Sequence, residues 1–413
     1  MAADTPQEGR SRLPHGLRNQ QSQAPMGNST SQLPPSGPPE RPPARPGWTQ
    51  AALWMGADFF GLARLLLRNR LRVSPSCLAD CSFDLLLSLL NTALGALQEF
   101  YHGPRLRRLE LPRDPIFIIG HWRTGTTLLH ELLALDPRHR CPTTYECFAP
   151  THFLLSEPLL LRWSGFLLPP LRPADAMAMG WDRPQEDEFA LCNLGVPSPY
   201  ATMAFPNHAP QFPEYFDLER VAPAQRRRWQ RMFVRFLKQL VLRRPGRLVL
   251  KSPTHTFRLP LLLELFPQAR FIHMVRNPYA LFPSTMRLWK AMYAWQGYQK
   301  PTLSGLAEYV FRTLLAMHDR LEATRGLVPH GRFFELRYED LVREPLAQVR
   351  AIYDRFDLGG FERIEPALRH YLAQRADYPT NRHEVSDELR REIARRWEPY
   401  FRKYGYAAGS VLI

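Results

Sequence analysis

The stretch from Pro115 to Leu129, Pro-Ile-Phe-Ile-Ile-Gly-His-Trp-Arg-Thr-Gly-Thr-Thr-Leu-Leu, constrains this chain more than any other. Ile116 to Ile119 is a short apolar run that reads as a buried strand, Gly120 to Gly125 supplies a tight turn, and Thr126 to Leu135 carries the spacing of a helix packed on a sheet. A strand that delivers the chain through a glycine-bounded loop into a helix N-terminus lines up successive backbone N–H groups along the helix dipole. That arrangement binds a tetrahedral anion.

Gly120-x4-Gly125 has the spacing of a Walker A loop, yet Thr126 and Thr127 stand where that motif requires Lys and then Ser or Thr. The cation sits inside the loop instead, at Arg123. A P-loop-like kinase or NTPase, which would turn over ATP with Mg²⁺, is therefore the weaker reading of this loop.

The second half of the chain repeats the pattern of short apolar runs ending in polar groups. Residues 247 to 250 read as a strand ending in Lys251-Ser252-Pro253-Thr254-His255, and 269 to 275 as another that opens into Arg276-Asn277-Pro278 with Ser284 eight positions beyond Arg276. Ligands of an open parallel sheet bind beyond the carboxyl ends of its strands, so Lys251 and Arg276 are expected near the first loop. A guanidinium at a strand end and a hydroxyl two turns along the next helix can converge on one phosphate. Residues 333 to 341 read as a further strand and turn containing Arg337-Tyr338-Glu339-Asp340. Two side chains compete for general base: Glu146, at the return of the first strand-helix unit, and His255, at the start of a helix running toward Phe266.

Between these lie two stretches of a different kind. Residues 148 to 180 are apolar, proline-broken and aromatic, with Phe148, Phe153, Trp163 and Phe166, and read as irregular helices lining a pocket for a hydrophobic acceptor. Next to Trp181, four acidic groups fall within seven residues, Asp182 to Glu188. They suit helix capping, neutralisation of nearby arginines or contact with a substrate, and the sequence does not choose among these.

Upstream, residues 1 to 48 hold ten of the forty prolines and no apolar core, and read as a disordered tail. Helical patterns over 48 to 69 and 77 to 101 follow, broken at Pro75. Neither has the ~20 uncharged residues of a spanning helix, so they are expected to pack on or beside the core, with an interfacial helix on a membrane as the alternative. The net charge of +15, carried almost wholly by arginine since only five residues are lysine, suits an anionic ligand or an anionic membrane face. Five cysteines without metal spacing predict reduced thiols and a cytoplasmic setting.

Taken in order, these segments resemble a sulfotransferase from about Pro115 to Tyr406. The Arg-Thr-Gly-Thr-Thr loop is similar to the element that holds the 5′-phosphosulfate of 3′-phosphoadenosine 5′-phosphosulfate (PAPS), and Arg276 with Ser284 to the 3′-phosphate element. The His-Trp-Arg-x-Gly-Thr-Thr and Pro-Gln-Glu-Asp-Glu-Phe segments resemble a broad, largely bacterial branch. Arg in the loop and a Glu after the first helix are features shared with tyrosylprotein sulfotransferases.

The resemblance implies an α/β fold: a three-layer, P-loop-NTPase-like domain over residues 111–413, with a central, mainly parallel sheet and N-terminal helices over 49–110. It implies transfer of a sulfuryl group from PAPS to a hydroxyl or amine, with no metal and no nucleic-acid partner, and a small-molecule, lipid or carbohydrate acceptor. Residues 48–101 would supply any peripheral membrane contact. Arg123 and Lys251 would face the bridging oxygen, Thr124, Gly125, Thr126 and Thr127 the 5′ end, Arg276 and Ser284 the 3′-phosphate, Tyr338 the adenine, and Arg382 a closing loop. Glu146 would be the base, at a spacing about two residues longer than in the tyrosylprotein enzymes. His255 stands two positions from the His of the cytosolic small-molecule enzymes. An inactive nucleotide- or membrane-binding relative would share all of these features.

Overall fold

A computed structural model describes residues 52–160, 180–375 and 385–407. The proline-rich tail, Trp163, Phe166 and Arg382 lie outside the described residues.

Five strands form one sheet in the order β2-β3-β1-β4-β5: β1 (Ile116–Gly120), β2 (His139–Arg140), β3 (Arg247–Lys251), β4 (Arg270–Val275) and β5 (Phe333–Arg337). All four pairings are parallel. Parallel strands must be covered on both faces, which is why β1 is an unbroken apolar run and buried throughout.

Alternate side chains then define the layers. Ile116 and Ile118 pack with α3 (Thr126–Ala134), α12 (Pro345–Arg355) and α13 (Phe361–Ala373) on one side. Phe117 and Ile119 pack with α7 (Pro223–Arg243) and α8 (Leu259–Leu265) on the other. The result is the helix-sheet-helix layering expected from the sequence.

A third apolar cluster extends beyond the sheet, and it joins α9 (Pro278–Gln296), α10 (Leu306–Thr324), α14 (Asp387–Arg396) and α15 (Glu398–Tyr404) to the N-terminal segment. That segment is less regular than its apolar pattern predicts. A 3₁₀ turn, Leu53–Gly56, precedes α1 (Phe59–Arg68), because Asp58 interrupts the run and caps α1 by accepting from the Gly61 N–H at 2.9 Å. Then α2 (Leu78–Arg108) outruns its expected end at 101 and carries Pro104 in its final turns, where the missing donor leaves only one carbonyl unserved. The expected helix from His255 also differs: a 3₁₀ turn, Pro253–Phe257, comes first, and α8 begins beside Pro260, which is favoured at a helix start because its missing N–H would have no partner there.

Candidate active site

The register of the sheet brings the carboxyl ends of the three central strands level. Ile118 pairs with Lys251 and Gly120 with Met274, so the loop after β1 emerges between Lys251 and Arg276. The loop is tied down from both sides. The Gly120 N–H donates to Thr256 Oγ1 at 2.8 Å, and the Thr124 hydroxyl donates to the His121 carbonyl at 2.7 Å. Thr124 is fully buried and so braces the turn, whereas Arg123, Thr126 and Thr127 line the open pocket.

Arg123 adopts a left-handed φ of 73° and Gly125, the N-cap of α3, a φ of 92°. The Gly125 position is closed to any side chain, since a Cβ there would stand 2.3 Å from Cδ2 of Tyr338.

Tyr338, the first residue of α11 (Tyr338–Arg343), lies under the Arg276 guanidinium at 4.2 Å. Arg276 in turn donates from Nη1 to the Arg123 carbonyl at 2.8 Å, and Arg123 Nε donates to Ser284 Oγ at 3.0 Å. The two anion elements read from the sequence therefore adjoin. The Nε of Arg276 is buried without a partner, and burial holds this guanidinium below the usual arginine range, with Tyr338 opposing the shift and the neighbouring Arg123 adding to it. A cation left short of partners beside a second cation is a built receptor for an anion, and these residues fit the phosphates of a nucleotide.

Beyond the loop the pocket becomes aromatic and aliphatic. Its space, about 850 Å³ counted together with open solvent, lies between Trp122, Phe148, Phe189, Tyr200 and the α9 residues Leu288, Trp289, Met292 and Trp295. Ser284, Leu288, Met292 and Trp295 recur at the spacing of one helix face, so α9 carries both the hydroxyl near Arg123 and the apolar wall. The N-terminal segment closes the same pocket: Leu53 lines it and is fixed to α9 by a 2.7 Å bond from its N–H to Gln296 Oε1.

At the border between the charged and apolar parts stands Glu186. Its Oε1 accepts from Lys251 Nζ at 2.7 Å and its Oε2 accepts from the Tyr200 hydroxyl, which itself accepts from Trp122 Nε1 at 3.0 Å. Burial and the adjacent Glu186 push the Tyr200 hydroxyl well above its ordinary range, so it remains a donor. The other acids of this run turn inward. Asp187, in α6 (Asp187–Asn193), pairs with His255 Nε2 at 2.7 Å, and Glu188 takes both terminal nitrogens of Arg258.

Both bases anticipated from the sequence are displaced by this arrangement. Glu146 is buried at the start of α4 (Thr144–Phe148), where it accepts the Thr143 N–H at 2.8 Å in a capping box and pairs with buried Arg140. A carboxylate engaged in two such bonds and facing no pocket is structural. His255 is likewise fully buried, wedged between Phe117 and Phe233, its Nε2 taken by Asp187. Neither reaches the pocket, whereas Glu186 does. The clustering of acids near Trp181 was the available signal for it, but only the fold separates the one acid facing the pocket from its two buried neighbours.

Residues 115–363 match the family model described as the sulfotransferase family. Over 356 residues, 86% of this chain and 92% of the relatives, the sequence is 47% identical to the omega-hydroxy-beta-dihydromenaquinone-9 sulfotransferase Stf3 of Mycobacterium bovis and of Mycobacterium tuberculosis. Among solved structures, sulfotransferase STF9 from Mycobacterium avium superposes with a TM-score of 0.60 at 21% identity, covering 86% of this chain and 92% of that one. STF1 from Mycobacterium tuberculosis gives 0.59 at 19%, covering 83% and 92%. At such identities the structural likeness speaks for the fold.

Proposed function

The chain belongs to the sulfotransferase family, and from that premise we propose that it carries a sulfuryl group from PAPS to the hydroxyl of an apolar, lipid-like acceptor, with Glu186 as general base. The observation that carries this reading is the position of the Glu186 carboxylate, held by Lys251 and Tyr200 where the cation-lined loop meets the aromatic pocket.

In this reading Arg276, Ser284 and Tyr338 receive the 3′-phosphate and adenine end of the nucleotide, while the N-terminus of α3, Thr126 and Thr127 receive the 5′ end. The acceptor oxygen bonds to sulfur as the bond from sulfur to the phosphate oxygen breaks. The acceptor proton passes to Glu186, and the electron pair of the broken bond stays on the phosphate oxygen, which Arg123 and Lys251 face. Positioned charges of this kind, together with the fixed approach of the acceptor, supply the acceleration.

The acceptor class follows from the walls. Trp289, Trp295, Leu288 and Met292 offer apolar surface, and Gln185 and Gln296 are the polar groups beside them. A hydroxylated lipid, such as the acceptor for which the mycobacterial relatives are named, suits that lining better than a sugar. The test is incubation with ³⁵S-labelled PAPS and a panel of an ω-hydroxylated polyprenyl quinone, a sterol, a simple phenol and a carbohydrate. Label in the quinone or sterol supports the reading, and label only in the carbohydrate rejects the acceptor class. Phosphorylation of any acceptor from ATP with Mg²⁺, without use of PAPS, rejects the donor.

A further inference from the structure

The helix α2 is inside out. Its buried positions include Asp84, Ser88, Asn91 and Gln98, while Leu86, Leu90, Leu97 and Phe100 stand 67%, 53%, 45% and 76% exposed. These outward residues, spaced four, seven and three positions apart, fall on one face, and Leu78, Phe83, Leu89 and Tyr101 extend it. The face runs most of the helix's length, about 46 Å. A soluble protein seldom leaves so long an apolar strip in water, and a strip of this extent marks a surface that meets something else.

The inner face explains why the strip points outward. Asn91 donates to the Met55 and Ala57 carbonyls at 2.8 and 3.1 Å, Gln98 donates to the Thr151 carbonyl at 2.8 Å, and Tyr298 donates to Asp84 at 2.8 Å. These hydrogen bonds, together with the packing of Cys81 and Leu85 on the apolar cluster, fasten α2 to the domain and fix its orientation. The segment Pro75–Arg108 is long enough, and over 18 of its residues apolar enough, with a mean hydropathy of 1.4, to cross a membrane, but those bonds hold it flat against the protein. Exposed Phe60, Leu67 and Leu71 continue the apolar surface on and just beyond α1.

Both ends of the strip are basic. At one end Arg68, Arg70, Arg72 and His208 surround an open cavity of about 520 Å³, and at the other Arg105, Arg107 and Arg108 are exposed. Of the acids at that second end, Glu99 is already bound by Arg107 and Arg235, and Glu110 lies exposed just beyond Arg108, so the three arginines outnumber it. A second copy of the chain laid face to face along α2 would set arginine on arginine in either direction. Acyl chains and anionic headgroups complement both parts at once.

We propose that the outer face of α2, with the adjoining α1 side chains and the arginine-lined cavity, seats this protein on the surface of an anionic lipid bilayer. The contact is peripheral: the apolar side chains enter the headgroup boundary, and the cavity takes lipid phosphate. It does not depend on the identity of the acceptor.

The test is co-sedimentation of the full chain with phosphatidylcholine vesicles, with and without phosphatidylglycerol. Binding to the anionic vesicles, weakened by salt, is expected. Arg70→Glu with Arg72→Glu should lower the partition coefficient roughly tenfold or more. Leu86→Glu, Leu90→Glu and Leu97→Glu together should abolish binding while affinity for 3′,5′-adenosine bisphosphate is kept. Should the triple variant fail to fold, a fluorophore on Ser82→Cys, an exposed position on the same face, reports directly. Its emission should shift to the blue with anionic vesicles. No vesicle binding, or no shift, overturns the proposal. So does bound protein that resists alkaline carbonate, which would mean a spanning helix, or a dimer that Leu90→Glu dissociates in the absence of any affinity for vesicles.

Discussion

Nη1 of Arg276 donates to the main-chain carbonyl of Arg123 across 2.8 Å. One residue closes β4 and the other forms the loop after β1, so this bond joins two cationic elements that lie 153 positions apart in the chain. In the proposed function, their adjacency would let a nucleotide with charge at both ends of its sugar span them.

Replacing Arg276 by Ala should therefore raise the dissociation constant for 3′,5′-adenosine bisphosphate roughly 10- to 100-fold, in line with about 1.5–3 kcal/mol for hydrogen bonds to a charged group. Isothermal titration measures this. Lys at 276 should rescue only in part, because an ammonium lacks the planar fork that can serve a phosphate and the Arg123 carbonyl together. Unchanged affinity in Arg276→Ala would detach this residue from the nucleotide.

Glu186→Gln keeps the shape of the side chain and removes its capacity to take a proton. We expect kcat to fall by about 10²–10⁴, with binding of 3′,5′-adenosine bisphosphate unaltered. Steady-state kinetics with the acceptor identified by the panel would falsify the base assignment if kcat held. Glu146→Gln, by contrast, should act on stability, because Glu146 pairs with Arg140 away from the pocket.

Gly125→Ala puts a methyl group where only 2.3 Å separates it from the Tyr338 ring, at a φ of 92°. Backbone strain of this sort costs about 1–3 kcal/mol. A lower urea midpoint is the expected reading, accompanied by weaker nucleotide binding as Tyr338 and the loop shift apart.

Met292 lines the apolar half of the pocket and is only partly buried, at the edge of the apolar cluster, so a polar replacement there acts first on the pocket wall. Met292→Asp should raise KM for a lipid acceptor roughly tenfold or more, the effect of losing one apolar side-chain contact. Nucleotide affinity should not move. Equal losses in both would mean that the two halves of the pocket are not separate sites.

Three buried imidazoles set a pH dependence. Burial pushes His121 down to about 4, His130 to about 3 and His152 to about 4, with Lys251 adding to the effect at His130. All three stay neutral in the fold while an unfolded chain protonates near pH 6.5. The unfolded state then binds more protons, so stability is full above about pH 6.5 and falls as the pH drops toward about 4. At pH 5 the slope should approach three protons, about 4 kcal/mol per pH unit. Urea titrations at a series of pH values would test this, and a flat midpoint between pH 7 and 5 would contradict it.

The sequence by itself determined the parts that depend on local chemistry. Apolar runs at 116–119, 247–250 and 269–275 fixed three strands of the sheet, and the glycines at 120 and 125 fixed a tight turn, while only the fold brought the Tyr338 ring against Gly125. The interval from Arg276 to Ser284 brought one guanidinium and one hydroxyl to the same region, because two helical turns span it. Tertiary structure decided everything that depends on which way a carboxylate faces. Glu146, Glu186, Asp187 and Glu188 are alike in one dimension, and each has a cation or imidazole as partner. Only Glu186 has its partner at the pocket's edge, because Lys251 ends the strand beside the loop. The orientation of α2 was settled in the same way. An apolar helix pattern reads identically whether it faces a core or a membrane, and here the buried polar face, bonded to carbonyls distant in sequence, turned the leucines outward.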